Sequence, residues 1–264
     1  MVFFMKRNFY PRNTEQRRQV IMQLLQDKGE ISVEQLVQYF NTSEVTIRKD
    51  LSALESTGFL LRKYGGAVLI PQELLEANHE ELLSNRKLAI AKAAAERIAD
   101  NNRIIIDSGS TTAALIKQLN NKQGLVVMTN SLSVANQLRS LEHAPTLLMT
   151  GGTWDTGSES FQGKVAEQVL YSYNFDQLFI GADGIDLARG TTTFNELVGL
   201  SQVMAEVAQE VIVMVESQKI GRKMPNLELT WQQIDVLITD ELLNDQIKKQ
   251  IELLGVEVVC VSAV

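Results

Sequence analysis

The sequence predicts an N-terminal winged helix-turn-helix of about 70 residues, followed by an α/β domain with a mostly parallel sheet. Two observations predict this organisation. Residues 42–67 (TSEVTIRKDLSALESTGFLLRKYGGA) are typical of a helix, a turn, a basic strand and a Gly-Gly turn. From Arg86 onward, short apolar strand patterns alternate with amphipathic helices. We place the first domain at 1–70, a polar connector at 71–84 and the second domain at 85–264.

Three short helices are predicted before the basic strand. The first occupies 14–29 and stops at Gly29, and the second opens with the capping-box pair Ser32 and Gln35. The third runs from about residue 44 to 57. Its spacing predicts that it buries four apolar side chains, namely Val45, Ile47, Leu51 and Leu54.

Basic residues on the exposed side of the third helix, and again on the following strand, indicate a DNA-binding surface. A winged helix-turn-helix holds DNA in this way, with a helix in the major groove and a hairpin beside the phosphates. The net charge of the chain is −7, but the first 70 residues are weakly basic and the remainder is acidic. Because one weakly basic domain binds DNA weakly, we expect a dimer or a tetramer.

The second domain is predicted from an Ala-rich helix and a series of buried strands. The helix covers about 87–99. The strand patterns fall at 103–107, 125–131, 146–152, 175–186, 211–215, 236–240 and 256–262. Apolar strands that alternate with helices predict a parallel sheet, and ligands of such sheets bind at the carboxyl ends of the strands.

Hydroxyl groups and glycines follow the first three of these strands, at 107–112, 129–131 and 150–153. Small residues let backbone N–H groups approach an oxyanion, so the loops are candidates for a phosphate site. The alternative is that they are ordinary strand-to-helix turns. Lys219 would supply a charge to the phosphate, while Asp183 and Glu196 would bond the hydroxyls of a sugar or polyol. The alternative for these carboxylates is a solvated loop.

The composition argues against several other classes of protein. One cysteine and two histidines provide no disulfide framework and make a zinc site an unfavoured expectation. No apolar run approaches the ~20 residues of a membrane span. We therefore expect a cytoplasmic protein with no cofactor and no metal ion. No histidine lies near the loop serines in the chain, so we assign no catalytic residue, although a base that the fold brings close remains open.

The stretch TIRKDLSALESTGFLLRKYGGA closely resembles the DNA-binding signature of DeoR-type bacterial repressors. The second domain resembles their sugar-phosphate-sensing domain, which is related in fold to ribose-5-phosphate isomerase A and the CoA transferases. The resemblance covers the chain from about Thr14 to Ser262. It implies DNA-binding residues on the third helix and on the wing, namely Ser43, Thr46, Arg48, Lys49, Arg62, Lys63 and Tyr64.

The same resemblance implies an effector site at the strand ends. Its residues are Asp107, Ser108, Gly109, Ser110, Thr111, Thr112, Thr129, Asn130, Ser131, Gly151, Gly152, Asp183 and Lys219. The chain departs from the family at 216–220, where ESQKI replaces the common DSSKF. It also has Arg189-Gly-Thr where the isomerases have Lys-Gly-Gly. Without a lysine that can shift its pKa there, we expect no isomerase activity.

The resemblance implies a repressor of a sugar or sugar-alcohol catabolic operon that a phosphorylated sugar or polyol releases from operator DNA. The segments at 128–132, 181–196 and 219–226 are most similar to repressors of glucitol (sorbitol) operons, with glucitol 6-phosphate as the candidate effector. Galactosamine-pathway repressors are similar over DSGSTT and TNSLSVAN. The alternatives are an isomerase-like enzyme with a DNA-binding head, and a transcriptional activator.

Overall fold

The protein consists of two compact units, Met1–Glu81 and Leu82–Val264. The computed structural model describes residues 14–55, 60–63, 65–69, 85–196 and 198–262. The predicted connector at 71–84 lies outside the described residues. Each unit is described by itself.

Among its described residues, the first unit contains three helices and a three-stranded antiparallel sheet in the order β1-β3-β2. Its elements are α1 (Thr14–Lys28), β1 (Glu30–Ser32), α2 (Val33–Phe40), α3 (Glu44–Glu55), β2 (Leu60–Lys63) and β3 (Gly66–Leu69). Helices and sheet enclose one apolar core, in which Ile21, Leu36, Ile47 and Leu51 are fully buried. The helices and the basic hairpin confirm the predicted winged helix-turn-helix.

Local signals set the boundaries of these helices. Helix α1 ends where Gly29 takes a φ of 74°. The predicted capping box forms at the amino end of helix α2. The Gln35 amide donates to Ser32 Oγ (3.1 Å), and the Ser32 amide donates to Gln35 Oε1 (3.0 Å). The predicted burial of Val45 is wrong, since its side chain is 64% exposed. Val45 lies two positions before Ile47, which places it on the opposite side of the helix.

The second unit contains six helices and twelve strands among its described residues. Its elements are α4 (Asn85–Glu96), β4 (Arg103–Ile106), α5 (Ser110–Ile116), β5 (Val126–Thr129), α6 (Leu132–Leu138), β6 (Thr146–Met149), β7 (Thr153–Asp155), β8 (Ser160–Gln162), α7 (Lys164–Leu170), β9 (Phe175–Ile180), β10 (Gly184–Asp186), β11 (Gly190–Thr193), α8 (Gly199–Glu206), β12 (Ala208–Met214), β13 (Asn226–Thr230), β14 (Val236–Asp240), α9 (Asp245–Glu252) and β15 (Glu257–Val261).

Seven of these strands form a parallel sheet in the order β15-β14-β12-β9-β4-β5-β6. They are the seven predicted strands, so the parallel α/β fold is confirmed. Alternate residues of the strands enter separate apolar clusters, as with Ile105 in one and Ile104 and Ile106 in the other. The chain leaves β4 in one direction toward β6 and returns on the other side through β9. This reversal opens a crevice at the carboxyl ends of β4 and β9.

Smaller sheets follow two of the strand ends. Strands β7 and β8 form a hairpin after β6, and β10, β11 and β13 form an antiparallel sheet after β9. The single strand predicted at 175–186 is therefore two strands, separated by the loop 181–183. The break arises because β10 pairs with β11 and belongs to a different sheet from β9.

Charged side chains connect the amino ends of the parallel strands. Arg97 bonds Glu210 on β12 (2.7 Å) and Glu257 on β15 (2.9 Å). Gln177 on β9 donates to the second oxygen of Glu210 (2.8 Å). On the same edge, Asp176 accepts from the backbone amide of the first residue of β4 (2.7 Å). These contacts tie four strands of the sheet together at the edge opposite the crevice.

Candidate functional site

The loops that follow β4 and β5 are held together by one side chain. Asn130 Nδ2 donates to Asp107 Oδ1 (2.8 Å), and Asn130 Oδ1 accepts from the amide of Ser108 (3.1 Å). The carbonyl oxygen of Asn130 accepts from the amide of Phe161 on β8 (2.8 Å). Asn130 therefore joins the two loops and the β7–β8 hairpin into one assembly. The sequence predicted Asn130 as a ligand contact, and the structure shows that it also organises the loops.

Several of the predicted hydroxyl groups bond to backbone within their own loops. Thr112 Oγ1 donates to the carbonyl oxygens of Asp107 and Gly109 (both 2.9 Å). Thr129 Oγ1 accepts from the amide of Ser131 (3.1 Å), and Ser131 Oγ caps α6 by accepting from an amide in its first turn. Thr111 is buried in the first turn of α5, whereas Ser110 is exposed beside it. The hydroxyls at 112, 129 and 131 thus set the shape of the loops.

The two glycines after β6 have different surroundings. Gly151 has a φ of 60°, and a Cβ atom there would meet nothing within 4 Å. A Cβ atom on Gly152, where φ is 111°, would lie 2.6 Å from the carbonyl oxygen of Gln162. Gly152 is therefore required for the close approach of β8, whereas the backbone at Gly151 faces open space.

Asp183 and Lys219 lie at the carboxyl ends of β9 and β12. Lys219 Nζ donates to the carbonyl oxygen of Ala182 (3.0 Å), and Asp183 Oδ2 accepts from Thr193 Oγ1 (2.7 Å). Burial lowers the pKa of the Lys219 ammonium, the negative charge of Asp183 opposes this shift, and the positive charge of Lys87 adds to it. The structure therefore brings the predicted pair Asp183 and Lys219 together.

Lys87 was not predicted as a site residue. It lies in the first turn of α4 and is only 9% exposed, although lysine is seldom buried. Its charge acts on Lys219, so two lysines approach the same region from α4 and from the turn after β12. The sequence signal that could have found Lys87 is weak, because a lysine in an Ala-rich helix is usually solvated.

Three carboxyl groups share the acidic part of this crevice. Burial raises the pKa of Asp107 to about 6, against hydrogen bonds from Ser108 and Asn130. Burial also raises the pKa of Glu228 on β13 to about 8, and the charge of Asp107 adds to the effect. The charge of Asp183 raises the pKa of both groups. Glu228 was also missed, because an acidic residue in a short polar strand predicts solvent exposure.

Two further acidic residues, Asp186 and Glu196, lie outside the group of carboxyls in the crevice. Asp186 accepts from Arg189 Nε (2.8 Å) and from the amide of Ala188 (2.9 Å), which closes the turn between β10 and β11. Glu196 is exposed after β11. Arg189, at the position of the isomerase lysine, is thus engaged with Asp186. A lysine with a lowered pKa is nevertheless present, because Lys219 reaches the crevice from β12. Within the described ranges, no cluster of three or more His, Cys, Asp or Glu side chains has an arrangement that would hold a metal ion.

The predicted DNA-binding residues of α3 lie at its start and on its exposed face. Ser43 Oγ accepts from the amide of Thr46 (3.2 Å) and so caps the helix. Arg48 Nε donates to Glu44 Oε1 (2.8 Å), and Lys49 is exposed beside it. Arg62 and Lys63 lie on β2, but their side chains lie outside the described part of the structure, as does the whole of Tyr64.

Asp50 is a further residue on which this surface depends. Its side chain is 1% exposed and accepts from Arg17 and from Arg18 (3.0 Å to the latter). These contacts fix α3 against α1. The sequence placed Asp50 among charged residues and gave no sign that it is buried. Its position orients the recognition face without placing Asp50 on that face.

A winged helix-turn-helix joined to an α/β unit with a charged crevice defines a transcriptional regulator that binds DNA and senses a small molecule. Residues 17–73 match the family model of the DeoR-like helix-turn-helix domain, and residues 83–241 match that of the DeoR C terminal sensor domain. The chain therefore belongs to the DeoR family of transcriptional regulators. In the part of the chain that the structure describes, no helix combines the length and the apolar character needed to cross a bilayer.

Relatives resemble the chain over nearly its whole length. The "Putative aga operon transcriptional repressor" of Escherichia coli is 39% identical over 94% of each chain. The regulator GlpR of Haloferax volcanii is 32% identical over 92% of this chain and 96% of its own, and GolR of Listeria innocua is 32% identical over 92% and 97%. Among solved structures, ribose 5-phosphate isomerase a from Methanocaldococcus jannaschii is 20% identical over 51% of this chain and 53% of its own, with a TM-score of 0.38.

Proposed function

We propose that the protein represses a sugar or sugar-alcohol catabolic operon, and that a phosphorylated sugar or polyol bound in the crevice releases it from operator DNA. The observation that carries the proposal is the partly buried Lys219 beside Asp183, at the carboxyl ends of the neighbouring strands β12 and β9. A buried ammonium group is costly unless an anion accompanies it. A phosphate group would supply such an anion, in addition to the charges of Asp183 and Glu216 that already act on Lys219.

The loops at 107–112, 129–131 and 151–152 would complete the site. They are organised by Asn130 and by backbone-directed hydroxyls, so that a ligand would meet loops already in place. Asp107, Asp183 and Glu196 would accept hydrogen bonds from sugar hydroxyls. We assign no cofactor, no metal ion and no catalytic role to this set.

The output of the site would be DNA binding. Ser43, Thr46, Arg48 and Lys49 would enter the major groove, with the wing residues 62–64 beside the backbone. We propose a dimer or tetramer, because a palindromic operator engages two heads. Effector binding would then favour a spacing of the heads that no longer matches two half-sites.

We propose first a chemical class for the effector and then a particular compound. The chemistry of the crevice favours a phosphorylated polyol or sugar. The segments at 128–132, 181–196 and 219–226 favour glucitol 6-phosphate, and the similarity to galactosamine-pathway repressors, together with a relative named for the aga operon, makes a phosphorylated amino sugar the alternative.

Two other functions remain to be distinguished from repression. An isomerase-like enzyme is favoured by the lowered pKa of Lys219 and by the raised pKa of Glu228, because acid–base catalysts have such pKa values. It would turn over a sugar phosphate, and Lys219→Ala would abolish turnover. The named relatives are transcriptional regulators, which favours a non-enzymatic sensor. An activator would bind the same operator but raise transcription when bound.

The proposal is tested by thermal unfolding of the full chain with sugar phosphates and with their unphosphorylated parents. A ligand at 100 times its Kd stabilises the native state by about 2.7 kcal/mol. We expect stabilisation by a phosphorylated compound and none by its parent. Lys219→Ala should remove it, whereas Lys223→Ala, which changes a lysine 67% exposed, should not. Equal stabilisation by phosphate and parent would contradict the proposed phosphate site.

The DNA arm uses duplexes selected by the full chain from a random pool. We expect the stabilising compound to release the selected duplex from the wild-type protein but not from the Lys219→Ala variant. Release of the duplex from both the wild type and the variant would show that the effector binds at a site without Lys219. Retention of the duplex by both proteins would show that ligand binding does not cause DNA release.

A further inference from the structure

One oxygen of the Glu228 carboxyl group is buried without a partner. Glu228 is 8% exposed, and its Oε1 accepts from Ser201 Oγ on α8 (2.9 Å). Its Oε2 is also buried and has no hydrogen-bond partner among the described residues. The Thr191 hydroxyl, on β11, accepts from the amide of Leu229 (3.0 Å) and donates toward the Glu228 carboxyl group, which opposes the rise in its pKa. Because an unsatisfied buried polar atom costs free energy, such an atom calls for an explanation.

The charged neighbours of Glu228 place it at the crevice. The charges that act on it come from Asp107, at the end of β4, and from Asp183, at the end of β9. The elements packed against β13 bring little further charge to Glu228, since β11 carries no titratable residue. Helix α8 carries only Glu206, which accepts from the Tyr171 hydroxyl (2.7 Å). Strand β11, which pairs with β13, also bonds Asp183 through Thr193 Oγ1 (2.7 Å), so Glu228 lies one strand away from a residue that borders the crevice.

We infer that Glu228 is a specificity residue of the effector site, and that its Oε2 bonds a hydroxyl group at the end of the ligand remote from the phosphate. The inference rests on the proposed function. A carboxylic acid can donate one hydrogen bond and accept another, which is what a hydroxyl group requires of its partner. The ligand hydroxyl would satisfy the oxygen that the protein leaves unpaired.

The charges also orient the ligand. The charge of Asp183 acts on Lys219, on Asp107 and on Glu228. The cationic end, formed by Lys219 and Lys87, suits a phosphate, whereas the carboxylate of Asp107 beside the protonated Glu228 repels one. The site therefore takes a monophosphate with a free hydroxyl at its far end, and it rejects a bisphosphate.

The test measures calorimetric binding to the full chain of glucitol 6-phosphate, its 1-deoxy analogue, hexitol bisphosphate and unphosphorylated glucitol. Glu228→Met removes the hydrogen bond at similar side-chain volume. We expect it to weaken glucitol 6-phosphate at least about 10-fold and to leave the 1-deoxy analogue unchanged. Glu210→Met, a matched change at the opposite edge of the sheet, should alter neither affinity.

A pH series separates a ligand contact from a purely structural role. Above pH 8, where Glu228 ionises, the wild-type affinity should fall by up to about 10-fold per pH unit. Glu228→Gln keeps a neutral donor and acceptor and should remove this part of the fall. Any fall that persists in the variant belongs to other groups, among them Lys219. If Glu228 had a purely structural role, the ratio of the affinity for glucitol 6-phosphate to the affinity for its 1-deoxy analogue would stay constant with pH.

The outcomes distinguish the inference from the proposed function. Equal loss of both glucitol phosphates in Glu228→Met, or equal binding of the bisphosphate, overturns the role of Glu228 while leaving a phosphate sensor. Binding of unphosphorylated glucitol that depends on Glu228 supports the inference and overturns the phosphate part of the function. Binding of none of the four compounds overturns the assignment to this ligand class in both.

Discussion

Replacing Glu228 by glutamine should stabilise the second unit, and the gain should grow with pH. Gln has the shape of a protonated Glu and can retain the contact with Ser201. The reason for the gain is that the folded protein resists ionisation of this buried carboxyl group, whereas the unfolded chain does not. The pKa of Glu228 is higher in the folded protein than in the unfolded chain. This group therefore stabilises the wild-type protein most at a pH below the pKa that it has in the unfolded chain. That stability is lost as the pH rises from the unfolded to the folded value.

The magnitude follows from the two pKa values, which are 4.5 for the free side chain and about 8 in the folded protein. One pKa unit corresponds to about 1.4 kcal/mol. Below pH 4.5 the group is protonated in both states, so the variant and the wild type should differ little. The difference in the free energy of unfolding should reach about 3 kcal/mol at pH 7 and about 4 kcal/mol at pH 8.

The assay is urea unfolding of the full chain at several pH values between 4.5 and 8, followed by tryptophan fluorescence. Both tryptophans, Trp154 and Trp231, belong to the second unit, so the signal reports that unit alone. Glu210→Gln is the control, because Glu210 is paired with Arg97 and has a lowered pKa; its loss should destabilise the protein. A Glu228→Gln variant whose stability runs parallel to that of the wild type over this range would refute the reasoning.

Three further outcomes concern the loops and the DNA-binding head. Asp50→Asn should cost about 2–3 kcal/mol of stability in the first unit, since it leaves two arginines without their buried partner, and circular dichroism at increasing urea concentrations would measure it. Glu44→Gln should tighten operator binding about 3- to 10-fold at low salt by freeing Arg48, and unchanged affinity in a fluorescence titration would show that their contact does not compete with DNA. Gly152→Ala should lower the unfolding free energy of the second unit by about 2 kcal/mol or more, whereas Gly151→Ala should cost only about 1 kcal/mol; equal losses would contradict the close contact at the first site.

The sequence predicted the elements whose signals are local. The capping box at Ser32 and Gln35 and the stop at Gly29 were sufficient to position α2 and the end of α1. The seven strands of the parallel sheet were found because each is a nearly continuous apolar run, as expected when both faces are covered. Strand β1, the β7–β8 hairpin and the β10–β11–β13 sheet were missed, since runs of three to five mixed residues carry no clear period.

The candidate site was predicted as a set of strand ends, but the roles of its members were not. Asp183 and Lys219 are separated by more than thirty residues, and the order of strands brings them together. Glu228 was missed because its burial depends on α8, and Lys87 because helix α4 packs on α5 and on the parallel sheet; none of these contacts is adjacent in the chain. Asp50 was missed for the same reason, as its partners lie on α1.

The ion pairs at the amino edge of the parallel sheet have a consequence for how such a protein can diversify. Arg97, Glu210 and Gln177 join the strands at their amino ends, on the side of the sheet opposite the crevice. Substitutions in the loops at the carboxyl ends of the strands leave these hydrogen bonds and ion pairs intact. A lineage could therefore exchange one metabolite for another by changing a few loop side chains, without passing through unfolded intermediates on the way.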